Sequence, residues 1–105
     1  MKEIVIAFDI DGTILNNETG GVNLEVIQLM ALLKKKIKNS RVIVWSGGGA
    51  DYANQIVNKF SLGKYVDNIV GKSDFDPIFF GEVDIAFDDE HAFALAHKNL
   101  IVRMK

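Results

Sequence analysis

The stretch that decides the fold is IVIAFDIDGT, residues 4–13. Its first five residues, 4–8, are all apolar, which is typical of a strand buried on both faces of a parallel sheet. Two aspartates, Asp9 and Asp11, follow directly, and a Gly-Thr pair comes after them. An apolar strand that ends in two carboxylates raises the question of how the other strands of the chain end.

The composition is that of a small globular domain, and we interpret residues 1–105 as one domain. Hydrophobic residues make up 49% of the chain, and there is no cysteine for a disulfide or a Cys-based zinc site. The net charge of −2 argues against a surface for bulk nucleic-acid or anionic-membrane binding. No apolar run approaches the ~20 residues that span a bilayer, so we expect a cytoplasmic protein without membrane contact.

Strand-like and helix-like segments alternate along the rest of the chain. Further strands are predicted at residues 42–45, 68–70, 83–87 and 100–102. Helices are predicted at about residues 23–37, with Asn23 as N-cap, 50–60 and 90–97. Residues 73–82 leave room for only a turn or two of helix between the third and fourth strands. This alternation predicts an α/β fold with a parallel five-stranded sheet.

Polar residues follow the first four predicted strands. The set comprises Asp9 and Asp11, Ser46, Lys72, and the pair Asp88 and Asp89. In an open parallel sheet the carboxyl ends of the strands share one edge, and ligands bind there. The sequence therefore predicts that residues far apart in the chain meet in one site.

The residue types at this predicted site point to phosphoryl transfer. Crowded carboxylates repel one another, and a hard divalent cation such as Mg²⁺ relieves that repulsion. A lysine and a hydroxyl group at the same edge suit an anion, as do the open backbone N–H groups of the glycine run 47–49. A metal site, an anion site and a free carboxylate together are what phosphoryl transfer requires.

In the order of these residues the chain resembles the haloacid dehalogenase superfamily of phosphohydrolases. Residues 9–13 resemble its first motif, Ser46 its second, Lys72 its third, and residues 88–89 its fourth. The resemblance covers nearly the whole chain. It implies a three-layer α/β/α, Rossmann-like fold with the strand order 5-4-1-2-3.

The resemblance also implies a role for each matching residue. Asp9 would be the nucleophile that forms an aspartyl-phosphate, and Asp11 the general acid that then acts as base. The phosphate would be bound by Thr13, Ser46, Gly47 and Lys72. The metal, Mg²⁺, would be held by Asp9, by the backbone carbonyl of Asp11 and by Asp88, and Asp89 would support the metal or orient Lys72. Which of Asp88 and Asp89 touches the metal is left open.

Many members of this superfamily carry a cap domain, and this chain leaves no room for one. Residues 15–23 form only a short flap, and residues 73–82 are too few for a domain. In the superfamily, an uncapped site goes with macromolecular phosphate substrates, or with homo-oligomers in which a neighbour supplies the lid. The expected partner is a phosphorylated small molecule or macromolecule, with nucleic acid only as a substrate.

Other interpretations of the same residues stay open at this point. Asp9 and Asp11, taken alone, also fit a solvated turn, and Lys64 is a weaker rival for the role of Lys72. A signalling receiver domain uses similar residues, but its phosphoacceptor follows the third strand and its lysine the fifth. A phosphate-binding module without catalytic activity is the remaining alternative.

Overall fold

A computed structural model of the chain describes residues 3–88 and, for the backbone, residues 96–101. The strands are β1 (Ile4–Asp9), β2 (Ser40–Ser46), β3 (Asn68–Gly71), β4 (Val83–Asp88) and β5 (Ala96–Ile101). The helices are α1 (Leu24–Lys36), α2 (Ala50–Lys59) and α3 (Pro77–Phe80), with 3-10 turns at Gly63–Tyr65 and Lys72–Asp74. None of the helices in these ranges has the length and apolar character to cross a membrane.

The strands form one parallel sheet in the order β3-β2-β1-β4-β5. β5 is an edge strand, and its backbone pairs in parallel with that of β4. Counted from the other edge, this is the strand order that the resemblance implies. The predicted α/β class and the parallel pairing are confirmed.

One face of the sheet is covered by α1 and α2. Val26 and Met30 of α1, and Ala53 and Val57 of α2, lie in the same buried cluster as Phe8 of β1. Residues four apart lie on one side of a helix, so these pairs form the apolar stripe that each helix turns to the sheet. Both helices therefore turn an apolar stripe to the sheet, and their N-termini lie at the carboxyl edge of the sheet.

The opposite face of the sheet has its own apolar cluster. Its buried members are Val5, Ala7, Ile43, Trp45, Val70, Val83 and Ala86. Phe75, from the connection between β3 and β4, packs edge-on against the Trp45 ring with 5.4 Å between the ring centroids. This connection contains only α3 and a 3-10 turn, as its length predicts. It therefore crosses the sheet without room for an inserted domain.

One predicted helix needs correction, and one predicted helix start is confirmed in position. The predicted helix 90–97 is wrong at its end, because Ala96 and His97 belong to β5; residues 90–95 and Val102 lie outside the described part. Backbone pairing with β4 overrides the weak helical signal of so short a segment. Asn23 does occupy the N-cap position of α1, but its side chain makes no capping hydrogen bond.

Candidate functional site

The described residues of the predicted site lie at the carboxyl edge of the sheet. Asp9, Ser46 and Asp88 are the last residues of β1, β2 and β4, and Lys72 directly follows β3. In the sheet register, Ser46 lies opposite Gly71, and the residues preceding Asp9 and Asp88 lie opposite each other. Strand order and register thus place neighbouring strand ends side by side. Asp89 lies outside the described residues.

An ion-pair cluster joins three of these strand ends. The Lys72 ammonium nitrogen lies 2.8 Å from Oδ2 of Asp88 and 3.1 Å from Oδ1 of Asp9. Both carboxylates are buried, with Asp9 5% and Asp88 1% exposed. Buried carboxylates need a countercharge, and Lys72 supplies one to both. The structure therefore brings Asp9, Lys72 and Asp88 together, as the strand ends predict.

The pKa of Lys72 reflects this arrangement. Burial by itself lowers the pKa of its ammonium group, but the hydrogen bond to Asp88 and the charge of Asp9 outweigh burial and leave the pKa raised. Lys72 is therefore firmly protonated near neutral pH and presents a fixed positive charge at the site. The rival lysine, Lys64, lies over the ring of Tyr65 in the turn before β3, at the opposite edge of the sheet.

Asp11 lies outside this ion-pair cluster and has a partner that the sequence did not predict. It is exposed, and its Oδ1 accepts a hydrogen bond of 2.6 Å from the hydroxyl of Tyr52. The hydrogen bond to Asp11 is the main cause that raises the pKa of Tyr52 to about 12; burial and the charges of Asp11 and Asp9 add to it. The sequence could have indicated this contact, because Tyr52 lies in the first turn of α2, and α2 begins at the carboxyl edge of the sheet.

The glycine run after β2 forms a tight turn into α2. The hydroxyl of Ser46 accepts a hydrogen bond of 2.9 Å from the backbone N–H of Gly48, and a hydroxyl that accepts still has its proton to donate. Gly49 precedes α2 with φ of +99°, a conformation that favours glycine. A Cβ at Gly47 would meet nothing within 4 Å, so the turn is open on that side. Gly47 is exposed, whereas Ser46 is only 2% exposed, so anion binding by these two residues stays a prediction.

Thr13 differs from the other predicted phosphate ligands. It is fully buried, and its Oγ1 has no hydrogen-bond partner in the described part of the chain. Its backbone N–H donates to the carbonyl of Ile10, which closes a turn after β1. A ligand does not reach its hydroxyl in this conformation, so a phosphate contact from that group needs a rearrangement of the loop.

The donor set at the carboxyl edge suits a hard cation. The oxygens of Asp9 and Asp88 contact the same ammonium group, so one cation can reach both, and carboxylate oxygens are ligands that Mg²⁺ prefers. Residues 3–88 hold no group of three or more acidic or histidine side chains arranged for a metal. A backbone carbonyl, such as that of Asp11, and water would have to complete the coordination.

Comparisons with known proteins found no similar protein. No family model matches the chain, and neither does a curated protein or a solved structure. The function of the site must therefore be inferred from its own residues and their geometry.

Proposed function

We propose that residues 1–105 form a Mg²⁺-dependent phosphomonoesterase of the haloacid dehalogenase type. The observation that carries this proposal is the ion-pair cluster at the carboxyl edge, where the Lys72 ammonium contacts Asp9 at 3.1 Å and Asp88 at 2.8 Å. A nucleophile, a cation and a second carboxylate converge there from three strands. An accidental surface ion pair would not bury two carboxylates almost completely.

In the proposed reaction, Asp9 attacks the phosphorus atom and forms an aspartyl-phosphate while the bond to the leaving oxygen breaks. Lys72 already contacts one oxygen of Asp9, so its positive charge lies where the phosphoryl oxygens arrive. The hydroxyl of Ser46 and the backbone N–H of Gly47 would bind the same oxygens. A bound Mg²⁺, held by Asp9, Asp88 and the Asp11 carbonyl, would supply further positive charge for the phosphoryl group.

Asp11 has the position for proton transfer in both halves of this reaction. It lies two residues after the nucleophile and is exposed, whereas Asp9 is buried. It would donate a proton to the leaving oxygen in the first half. In the second half it would take a proton from the water that attacks the aspartyl-phosphate, which returns Asp9 and the acid to their starting states.

The topology supports this proposal over a receiver domain. The observed order β3-β2-β1-β4-β5 is that of the first five strands of a Rossmann sheet, whereas receiver-type sheets have the order 2-1-3-4-5. Lys72 follows β3, where a receiver carries its phosphoacceptor. We accordingly propose the three-layer, Rossmann-like haloacid dehalogenase fold.

The short connections support a capless form of that fold. Between β1 and α1 the chain makes only a flap, in which Leu15 bridges to Asp11 and Val22. Such a site is open to a phosphorylated small molecule or a macromolecule, including a nucleic acid as substrate. A second copy of the chain is the simplest source of a lid.

The test is hydrolysis of p-nitrophenyl phosphate by the pure protein, with and without Mg²⁺, beside Asp9→Asn. Mg²⁺-dependent turnover that disappears in the variant is the expected result. Turnover that persists in Asp9→Asn would show that Asp9 is not the nucleophile. Phosphoester binding without turnover would support the binding module, and stable phosphorylation by acetyl phosphate would support the receiver domain.

A further inference from the structure

We propose that Tyr52 is a positioning residue that holds the carboxyl group of Asp11 in one orientation for proton transfer. This inference rests on the proposed function, since it assigns Tyr52 a part in the work of Asp11. The two residues are 41 positions apart in the chain, and the Tyr52 hydroxyl donates to Oδ1 of Asp11 at 2.6 Å. An exposed aspartate samples several rotamers unless a partner selects one.

The ring of Tyr52 is itself held in place, which a positioning role requires. It is half-buried and packs against the apolar cluster beneath α2. The ring also lies beside Gly48, where an added Cβ would lie 3.1 Å from Cδ2 of the ring. Tyr52 therefore connects the glycine turn after β2 to the loop after β1, and its hydroxyl has little freedom to move.

The hydrogen bond also distinguishes the two oxygens of Asp11. Since Oδ1 accepts from the phenol, Oδ2 is the oxygen left to carry the proton that goes to the leaving group. A general acid is effective only when its proton points at the leaving oxygen within hydrogen-bond reach. By holding Oδ1 of Asp11 in a hydrogen bond, Tyr52 directs Oδ2 toward the leaving oxygen.

The matched variants are Tyr52→Phe and Tyr65→Phe. The first keeps the ring that packs on Gly48 and removes only the hydroxyl group. The second makes the same chemical change in the turn before β3, at the opposite edge of the sheet. The readout is kcat/KM for two substrates of similar shape, phenyl phosphate and p-nitrophenyl phosphate, which differ in the basicity of the leaving oxygen.

A weakly basic nitrophenolate leaves with little protonation, whereas phenolate depends more on the acid. We expect Tyr52→Phe to lower kcat/KM for phenyl phosphate by about 10- to 100-fold, and for p-nitrophenyl phosphate by less than about threefold. Tyr65→Phe should change neither value. Equal losses for the two esters, or none, in an active enzyme would overturn the role of Tyr52 and leave the proposed function intact.

A second measurement does not depend on activity. Side-chain NMR couplings of Asp11 should report one χ1 rotamer in the wild type and in Tyr65→Phe, and rotamer averaging in Tyr52→Phe. An unchanged rotamer in Tyr52→Phe would overturn the inference even if the enzyme is active. A wild type that hydrolyses neither ester would overturn the proposed function, and with it the part assigned to Tyr52.

Discussion

The two edges of the sheet carry the same residue type in different roles. At the amino edge, Oδ2 of Asp84 accepts the backbone N–H of Val5 at 2.8 Å, and Oδ2 of Asp67 accepts that of Val42 at 2.8 Å. Asp67 also pairs with Lys34 in a partly exposed ion pair. At the carboxyl edge, Asp9 and Asp88 are buried and share one lysine side chain, that of Lys72. The first pair of aspartates satisfies backbone donors where strands begin, so those two residues stabilise the sheet.

An aspartate at a strand end is therefore not by itself a sign of a functional site. A backbone N–H that loses its acceptor is left unsatisfied, so a carboxylate that binds it is committed to the fold. An ammonium group on a flexible side chain can turn from a carboxylate to a ligand oxygen when another cation, such as Mg²⁺, compensates the carboxylate. What separates the two edges is that the amino-edge aspartates bind backbone N–H groups, whereas the two buried carboxylates of the carboxyl edge share one lysine. Four predictions test this difference.

The largest expected effect contrasts Asp9→Asn with Asp84→Ala. Asp9→Asn should lower kcat by about 1,000-fold or more because the nucleophile is lost, while the circular dichroism spectrum stays that of the folded chain. Asp84→Ala should lower the free energy of unfolding by about 1–3 kcal/mol because the Val5 N–H loses an acceptor, with kcat per folded molecule unchanged. A comparable loss of kcat in Asp84→Ala would contradict the assignment of a catalytic role to the carboxyl edge alone.

The second prediction compares lysines from the two edges. Lys72→Met leaves two buried carboxylates without their shared cation, and it should lower the free energy of unfolding by about 2–3 kcal/mol in urea. Lys34→Met removes an ion pair with Asp67 in which both side chains are about a third exposed, so the loss should stay below about 1 kcal/mol.

The same pair of variants tests the metal site. Added Mg²⁺ should recover stability in Lys72→Met, because the cation takes the place of the ammonium group between Asp9 and Asp88. Added Mg²⁺ should leave the free energy of unfolding of Lys34→Met unchanged. Equal losses in the two variants, or no recovery with Mg²⁺, would argue against a cation site at the carboxyl edge.

A third prediction concerns how tightly the carboxyl edge is packed. A Cβ at Gly71 would lie 3.0 Å from Oδ2 of Asp74 and 3.2 Å from Cα of Gly49, whereas one at Gly63 would meet nothing within 4 Å. Gly71→Ala should therefore destabilise the fold by about 1–3 kcal/mol because the glycine turn must shift. Gly63→Ala should stay within about 0.5 kcal/mol in the same urea titration. Similar values for both would contradict the close approach.

The smallest effect is a dependence of stability on alkaline pH. The folded state raises the pKa of Tyr52 from 10.0 to about 12, so the folded chain binds more protons than the unfolded chain in that interval. The contribution is fully present below pH 10 and is lost as the pH rises toward 12. The raised pKa of Lys72 acts in the same direction. Urea unfolding of Tyr52→Phe should show a shallower loss over this interval, and an unchanged slope would refute the link.

The local elements of the fold were predictable because their signals are local. An uninterrupted apolar run at residues 4–8 and a four-residue apolar period in α1 and α2 are properties of neighbouring residues. The end of the chain was less predictable. Ala96 and His97 join an edge strand because β4 offers them backbone partners, which no local pattern records.

The order of residues along the chain is enough to place the polar side chains at the strand ends, and with them the functional groups of the carboxyl edge. How these residues pair depends on the folded sheet. It joined Lys72 to both Asp9 and Asp88, tied Asp11 to Tyr52, and buried the hydroxyl of Thr13. The physical reason is that residue order follows covalent bonds, whereas pairing depends on the strand order and packing of the folded sheet.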